Sequence, residues 1–146
     1  VEVRRIIESA VIDSVARNRS REDLSRFRRI VEALDEAATN KNVGAYNTHD
    51  AAFHKAIIDC GRNKILVAIY DQLIGLILQS DEKTGNLLFS DARARAALAD
   101  HGSAFSHQAM WEAIRDRKPA KARKLLERHL DQTERTLRDM IREKQR

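Results

Sequence analysis

The sequence predicts an all-α fold, an antiparallel bundle of about six to seven helices. Three observations carry that expectation. Only five Gly and one Pro occur among 146 residues, and long stretches contain neither. Apolar residues recur at three- and four-residue spacing through most of the chain. The breaks between these stretches are short and polar, which suits neighbouring helices that run antiparallel. No repeat, low-complexity tract or linker interrupts the chain, so residues 1–146 read as one domain.

The first helix should run from about Val1 to Arg17, with Val3, Ile7, Ala10, Val11 and Ser14 on its inner stripe. Ser20-Arg21-Glu22-Asp23 has the form of a capping box and opens a second helix to about Thr39. After a polar loop at Thr39–Asn42, a third helix carries Asp50 and His54 and stops at Cys60-Gly61, where glycine suits a C-terminal cap. Asn63 is the expected N-cap of a fourth helix, KILVAIYDQLIGLIL, which reads as the most buried of all. Gly85-Asn86 should break it, and Ser90 can cap a short segment around ARARAALAD. The next helix carries SAFSHQAMWEAIRDR, and Pro119 suits the first turn of a long final helix.

Composition excludes several classes. With 42% hydrophobic and 34% charged residues, the chain is neither disordered nor a membrane protein. It holds no apolar run long enough to span a bilayer and no signal-peptide pattern. Cys60 is single, so there is no disulfide framework; it reads as a buried small side chain in a cytoplasmic protein. The net charge of +5 invites a nucleic-acid reading. Its basic residues, however, are interleaved with acidic ones, the pattern of solvated helix faces with i,i+4 pairs.

The chemistry sits in DAAFHKAI, Asp50 to Ile57. At helical spacing Asp50, Phe53, His54 and Ile57 share one face, so a carboxylate and an imidazole point inward with the apolar side chains. His107 lies on the stripe of Ala104, Met110, Trp111 and Ile114. His129 lies on that of Ala122, Leu125, Leu126, Thr133, Leu137 and Met140. His49 and His101 fall off their stripes and read as surface or loop residues. Buried polar groups need partners, and one divalent cation satisfies all three inward histidines and Asp50 at once. Zinc stands first among the candidates, with nickel, manganese and iron also suited to this donor set.

DAAFHKAI with Asn63, then HQAMWEAI, then Ala122 and HLDQTERTL resemble the FadR C-terminal (FCD) domain of GntR-type bacterial transcription regulators. That family pairs an Asp and a His in D-x-x-F-H, leads a later helix with a second His, and places a third at the interval that separates His107 from His129. The early V-R-R-I-I-E is similar to the family's first helix. The resemblance implies a helical bundle that senses a small carboxylate effector, with Asp50, His54, His107 and His129 as metal ligands. Three positions differ from the usual pattern: Ser106 replaces an acid before the second His, Lys118 replaces an Asp cap, and Arg62 replaces a Gly before Asn63.

A hydrolase would need a general base beside the metal, and no further inward carboxylate stands out on these stripes. Neither a Ser-His-Asp order, a phosphate loop nor an HExxH run occurs. The expectation is therefore a sensor, not an enzyme; a metal-dependent enzyme acting on a small carboxylate or sugar acid is the alternative. Arg4 borders the first helix's stripe and could hold an anionic effector, or could simply form an i,i+4 pair with Glu8. Val1 is not Met and no winged helix precedes it, so the chain reads as an effector-binding and dimerisation domain. DNA would be contacted only through the missing half, within a homodimer.

Overall fold

Several helix boundaries in the computed structural model have a local cause. The structure describes residues 2–84 and 102–146. Within them lie α1 (Glu2–Asn18), α2 (Arg21–Thr39), α3 (Val43–Cys60), α4 (Lys64–Thr84), α5 (Gly102–Arg115) and α6 (Pro119–Lys144). The expected break at Gly85-Asn86 and the short segment after Ser90 lie outside the described residues.

The caps follow the expected chemistry. Asp23 N–H donates to Ser20 Oγ at 3.0 Å, and Ser20 N–H donates to Asp23 Oδ2 at 2.8 Å, closing the capping box of α2. Asn42 Oδ1 accepts from Ala45 N–H at 3.0 Å and opens α3. Asn63 Oδ1 accepts from the N–H groups of Ile65 and Leu66 at 3.1 and 3.2 Å and opens α4. Pro119 stands in the first turn of α6, and Lys118 before it makes no side-chain cap bond.

Gly61 caps α3 for a different reason from the one expected. Its φ is −69°, an ordinary right-handed value, whereas Arg62 takes the left-handed φ of 55°. Glycine is needed at 61 because a Cβ there would stand 2.3 Å from Val11 Cγ1 on α1. Arg62 adopts a conformation that glycine enters more easily. It is held there by bonds to Cys60 O at 3.0 Å and Asp23 Oδ2 at 2.7 Å.

Helix α2 packs on α3, α1 on α6, and α5 on both α6 and α2, around a shared core. The rings of Phe27 and Phe53 meet edge to face at 5.3 Å in its apolar part. Cys60 is buried in the same core, and burial with the Asp23 charge pushes its thiol up to about 12, which makes it unreactive. Two packing expectations are corrected. The buried face of α1 is Glu8, Ser9, Val11, Ile12, Val15 and Ala16, while Val3, Ala10 and Ser14 are exposed. The predicted stripe was thus rotated partly towards solvent, with Val11 buried and Ile7 half-buried as expected. Helix α4 is not the most buried: Tyr70 is enclosed, but Ile65, Ile69 and Leu76 are 73%, 49% and 63% exposed. Apolarity tells that a face favours burial, not that this chain supplies the cover.

At one end of the bundle two helix termini close each other. Arg19, just past α1, donates through Nε to Ile114 O at 3.3 Å and through Nη2 to Arg115 O, the last carbonyls of α5. Arg117, just past α5, donates to Arg17 O in the last turn of α1. Orphan C-terminal carbonyls thereby find partners. Among the described residues, no helix is long and apolar enough to cross a membrane.

Candidate metal centre

Three helices aim their histidines at one point because flanking apolar residues fix their rotation. In α3, Phe53 and Ile57 are wholly buried, which turns Asp50 and His54 inward on successive turns. In α5, Met110 and Ile114 do the same for His107, and in α6 Leu126 and Leu130 do so for His129. One potential ligand atom from each of Asp50, His54, His107 and His129 lies within 4.8 Å of every other, and all four residues are buried. All four predicted ligands are therefore together. His49 is half-buried on α3 outside the cluster, and His101 lies outside the described residues.

The spacing suits one ion. Asp50 Oδ1 lies 3.0 Å from His107 Nε2, 3.6 Å from His54 Nε2 and 3.7 Å from His129 Nε2. The Nε2 atoms of His54 and His129 face each other at 3.3 Å. Donors about 2.1 Å from one transition metal stand roughly 3.0–4.2 Å apart in tetrahedral to octahedral geometries.

The far side of two rings is held as a ligand requires. Glu8 Oε2 lies 2.6 Å from His54 Nδ1. An ionised carboxylate only accepts, so Nδ1 carries a proton, and in the neutral ring that a metal would select the Nε2 lone pair is directed into the cluster. Ser106 Oγ lies 3.0 Å from His129 Nδ1 and can accept from it in the same way. Ser106, one of the three positions that depart from the resembled pattern, thus meets His129 with a hydroxyl. Phe53 packs edge-on against His107 at 4.9 Å and closes one side.

Electrostatics follow from this crowding. Burial alone would raise the Glu8 carboxyl, but His54 and Arg4 overrule it and hold it at about 2. Burial and the Arg4 charge push the His54 ring down, yet Glu8 and Asp50 outweigh them and leave it raised. Burial, with the rings of His107 and His54 alongside, drives His129 well below the usual histidine range. Burial and the Glu8 charge raise the Tyr70 hydroxyl.

Arg4 forms its i,i+4 pair with Glu8 and also borders a cavity. Its Nε donates to Glu8 Oε1 at 2.9 Å, and its side chain is 14% exposed, so the pair is an interior one, not the surface pair expected. It also lines a cavity of about 420 Å³ together with Thr48, Asp50, Lys55, Tyr70 and Asp71. Asp50 belongs to cluster and cavity alike. Arg5 points away and pairs with Asp131 and Glu134 on α6.

Glu8 and Tyr70 were missed in the sequence. Glu8 is the further inward carboxylate that the misplaced α1 stripe concealed. Its one signal was the i,i+4 relation to Arg4, which surface pairs share.

Comparison with known proteins adds a family. The model of the FCD domain family matches residues 1–132. The HTH-type transcriptional regulator LutR of Bacillus subtilis (strain 168) is 24% identical over 135 residues, covering 92% of this chain and 58% of that protein. The chain therefore spans a little over half the length of this relative.

Proposed function

This chain belongs to the FCD domain family, and from that premise we propose that it is the ligand-sensing and dimerisation domain of a GntR-type transcription regulator. In this reading Asp50, His54, His107 and His129 hold one divalent transition metal, zinc first, with nickel, manganese or iron as alternatives. A small carboxylate enters the cavity and is gripped by Arg4. The carrying observation is the convergence of four buried donors beside a cavity with an arginine in its wall. Once bound, the ion would supply open positions for water or an effector carboxylate. The chain's own residues orient the donors through Glu8 and Ser106 and exclude water with Phe53. In the complete homodimer, effector binding biases one arrangement of two DNA-reading heads by its differential affinity for the two states. DNA contact belongs to those heads, and a regulator of this kind works in the cytoplasm.

Glu8 also bears on the enzyme alternative. It is the extra carboxylate a hydrolase would need, but its oxygens already accept from His54, Arg4 and Tyr70. Three donors and full burial make it a weak, enclosed base, which favours sensing.

The test is elemental analysis of protein purified without chelator or a His-tag, beside His54→Ala. About one equivalent of metal, lost in the variant, is expected by this four-ligand count. A thermal-shift screen of small carboxylates on the loaded protein should then give a hit that Arg4→Gln abolishes. Absence of metal under every loading condition overturns the metal assignment. Metal-dependent turnover of a small acid, lost in Asp50→Ala, would overturn the sensor.

A further inference from the structure

Glu8 is fully buried and faces two ways. Its Oε2 lies 2.6 Å from His54 Nδ1, on the side of the cluster. Its Oε1 accepts from Arg4 Nε at 2.9 Å and from the Tyr70 hydroxyl at 3.0 Å. Both of those donors line the cavity. A single carboxylate on α1 thus joins a candidate ligand on α3 to two cavity-wall residues on α1 and α4.

We propose that Glu8 is a positioning residue that couples the cavity to the metal cluster, fixing His54 on one oxygen and reading the state of Arg4 and Tyr70 on the other. The inference rests on the metal reading above. A carboxylate that accepts from Nδ1–H fixes the ring and strengthens electron donation from Nε2. The Arg4 cation draws on that same carboxylate and weakens what Glu8 passes to His54. An anion in the cavity that engages the Arg4 guanidinium relaxes this hold, so Glu8 leans harder on His54 and the cluster binds its ion more tightly. By thermodynamic reciprocity, an ion in the cluster then favours the anion in the cavity. No movement of helices is needed, only a shift of charge along three hydrogen bonds.

The experiment is a cobalt(II) titration against a competing chelator, with the melting temperature of each metal-free protein measured alongside. Glu8→Gln should bind cobalt roughly ten-fold or more weakly. Arg4→Gln breaks the same ion pair yet should bind it more tightly, by roughly five-fold, and Tyr70→Phe should tighten it less. A purely structural role for Glu8 predicts instead that all three variants weaken binding in step with their metal-free melting temperatures. That outcome, or unchanged affinity in Glu8→Gln, overturns the coupling while leaving the metal site intact. If Glu8→Gln does not fold, the signs of the other two variants still decide. Equal, weak cobalt binding by the wild-type protein and His107→Ala would mark the failure of the metal reading itself, and the coupling would fall with it.

Discussion

On α3, two neighbouring side chains enter very different surroundings. Phe53 meets Phe27 at 5.3 Å on its apolar side and touches the polar cluster through the edge of His107. His54 meets Glu8, Asp50 and His129 in a buried polar setting. The apolar part is held by many interchangeable contacts, each weak and none directional. In the polar part a few groups each depend on a named partner, and losing one leaves another buried without its complement. Apolar packing sets the rotation of the helices; the polar cluster uses that rotation and contributes little of it.

The largest effect should come from the apolar side. Phe27→Ala should destabilise the domain by about 3–5 kcal/mol, read from chemical denaturation, and by the same amount with or without metal. A metal-dependent loss would mean that the two parts are not separable. The polar cluster should show the opposite behaviour. Adding zinc at roughly a hundred to a thousand times its Kd should stabilise by about 3–4 kcal/mol, a gain that chelation removes and that His107→Ala never shows.

A smaller effect belongs to the close contact between α1 and α3. Gly61→Ala should cost about 1–3 kcal/mol through overpacking against Val11, and Val11→Ala in the same chain should restore most of it. Without that restoration, the glycine matters for its backbone and not for the space it leaves.

The smallest effect is electrostatic and lies on the surface. Burial would raise Asp59, but Lys55 at 2.6 Å and Arg26 at 2.9 Å hold it below the usual carboxylate range. A carboxyl lowered in the folded state stabilises above its unfolded value, near pH 4, and that stabilisation is lost as pH falls through the folded value. Asp59→Asn should therefore flatten the acid limb of stability by a few tenths of a kcal/mol. High salt should reduce the difference further, which would set this pair apart from the buried cluster.

How much of this could be read in the sequence follows the same division. The inward placement of Asp50, His54, His107 and His129 was legible because bulky apolar side chains flank each of them at three- and four-residue spacing. Ser20, Asn63 and Pro119 were legible because capping is local chemistry. Glu8 was not. Helix α1 carries apolar residues on much of its circumference, so its periodicity allowed two rotations, and only contact with α3 and α6 selects the one that buries the glutamate. The burial of α4 failed for a related reason, since Ile65 and Ile69 reveal nothing about what lies opposite them. Gly61 was marked correctly but for the wrong cause. A close approach to Val11 on another helix leaves no trace in neighbouring residues, whereas a left-handed turn usually does.

The arginines that close the ends of α1 and α5 carry a consequence of their own. Both donate to main-chain carbonyls and not to acids, so the clasp has nothing that titrates on either side. As acid neutralises the carboxylates elsewhere in the bundle, this clasp keeps its full complement of bonds. The clasp is therefore indifferent to acid, although Asp116 next to it pairs with Arg115 and Asp13, one turn before Arg17, pairs with Arg123. When the domain opens at low pH, the Arg19–Arg117 end should be the hinge about which the rest comes apart, with backbone amides there the last to exchange.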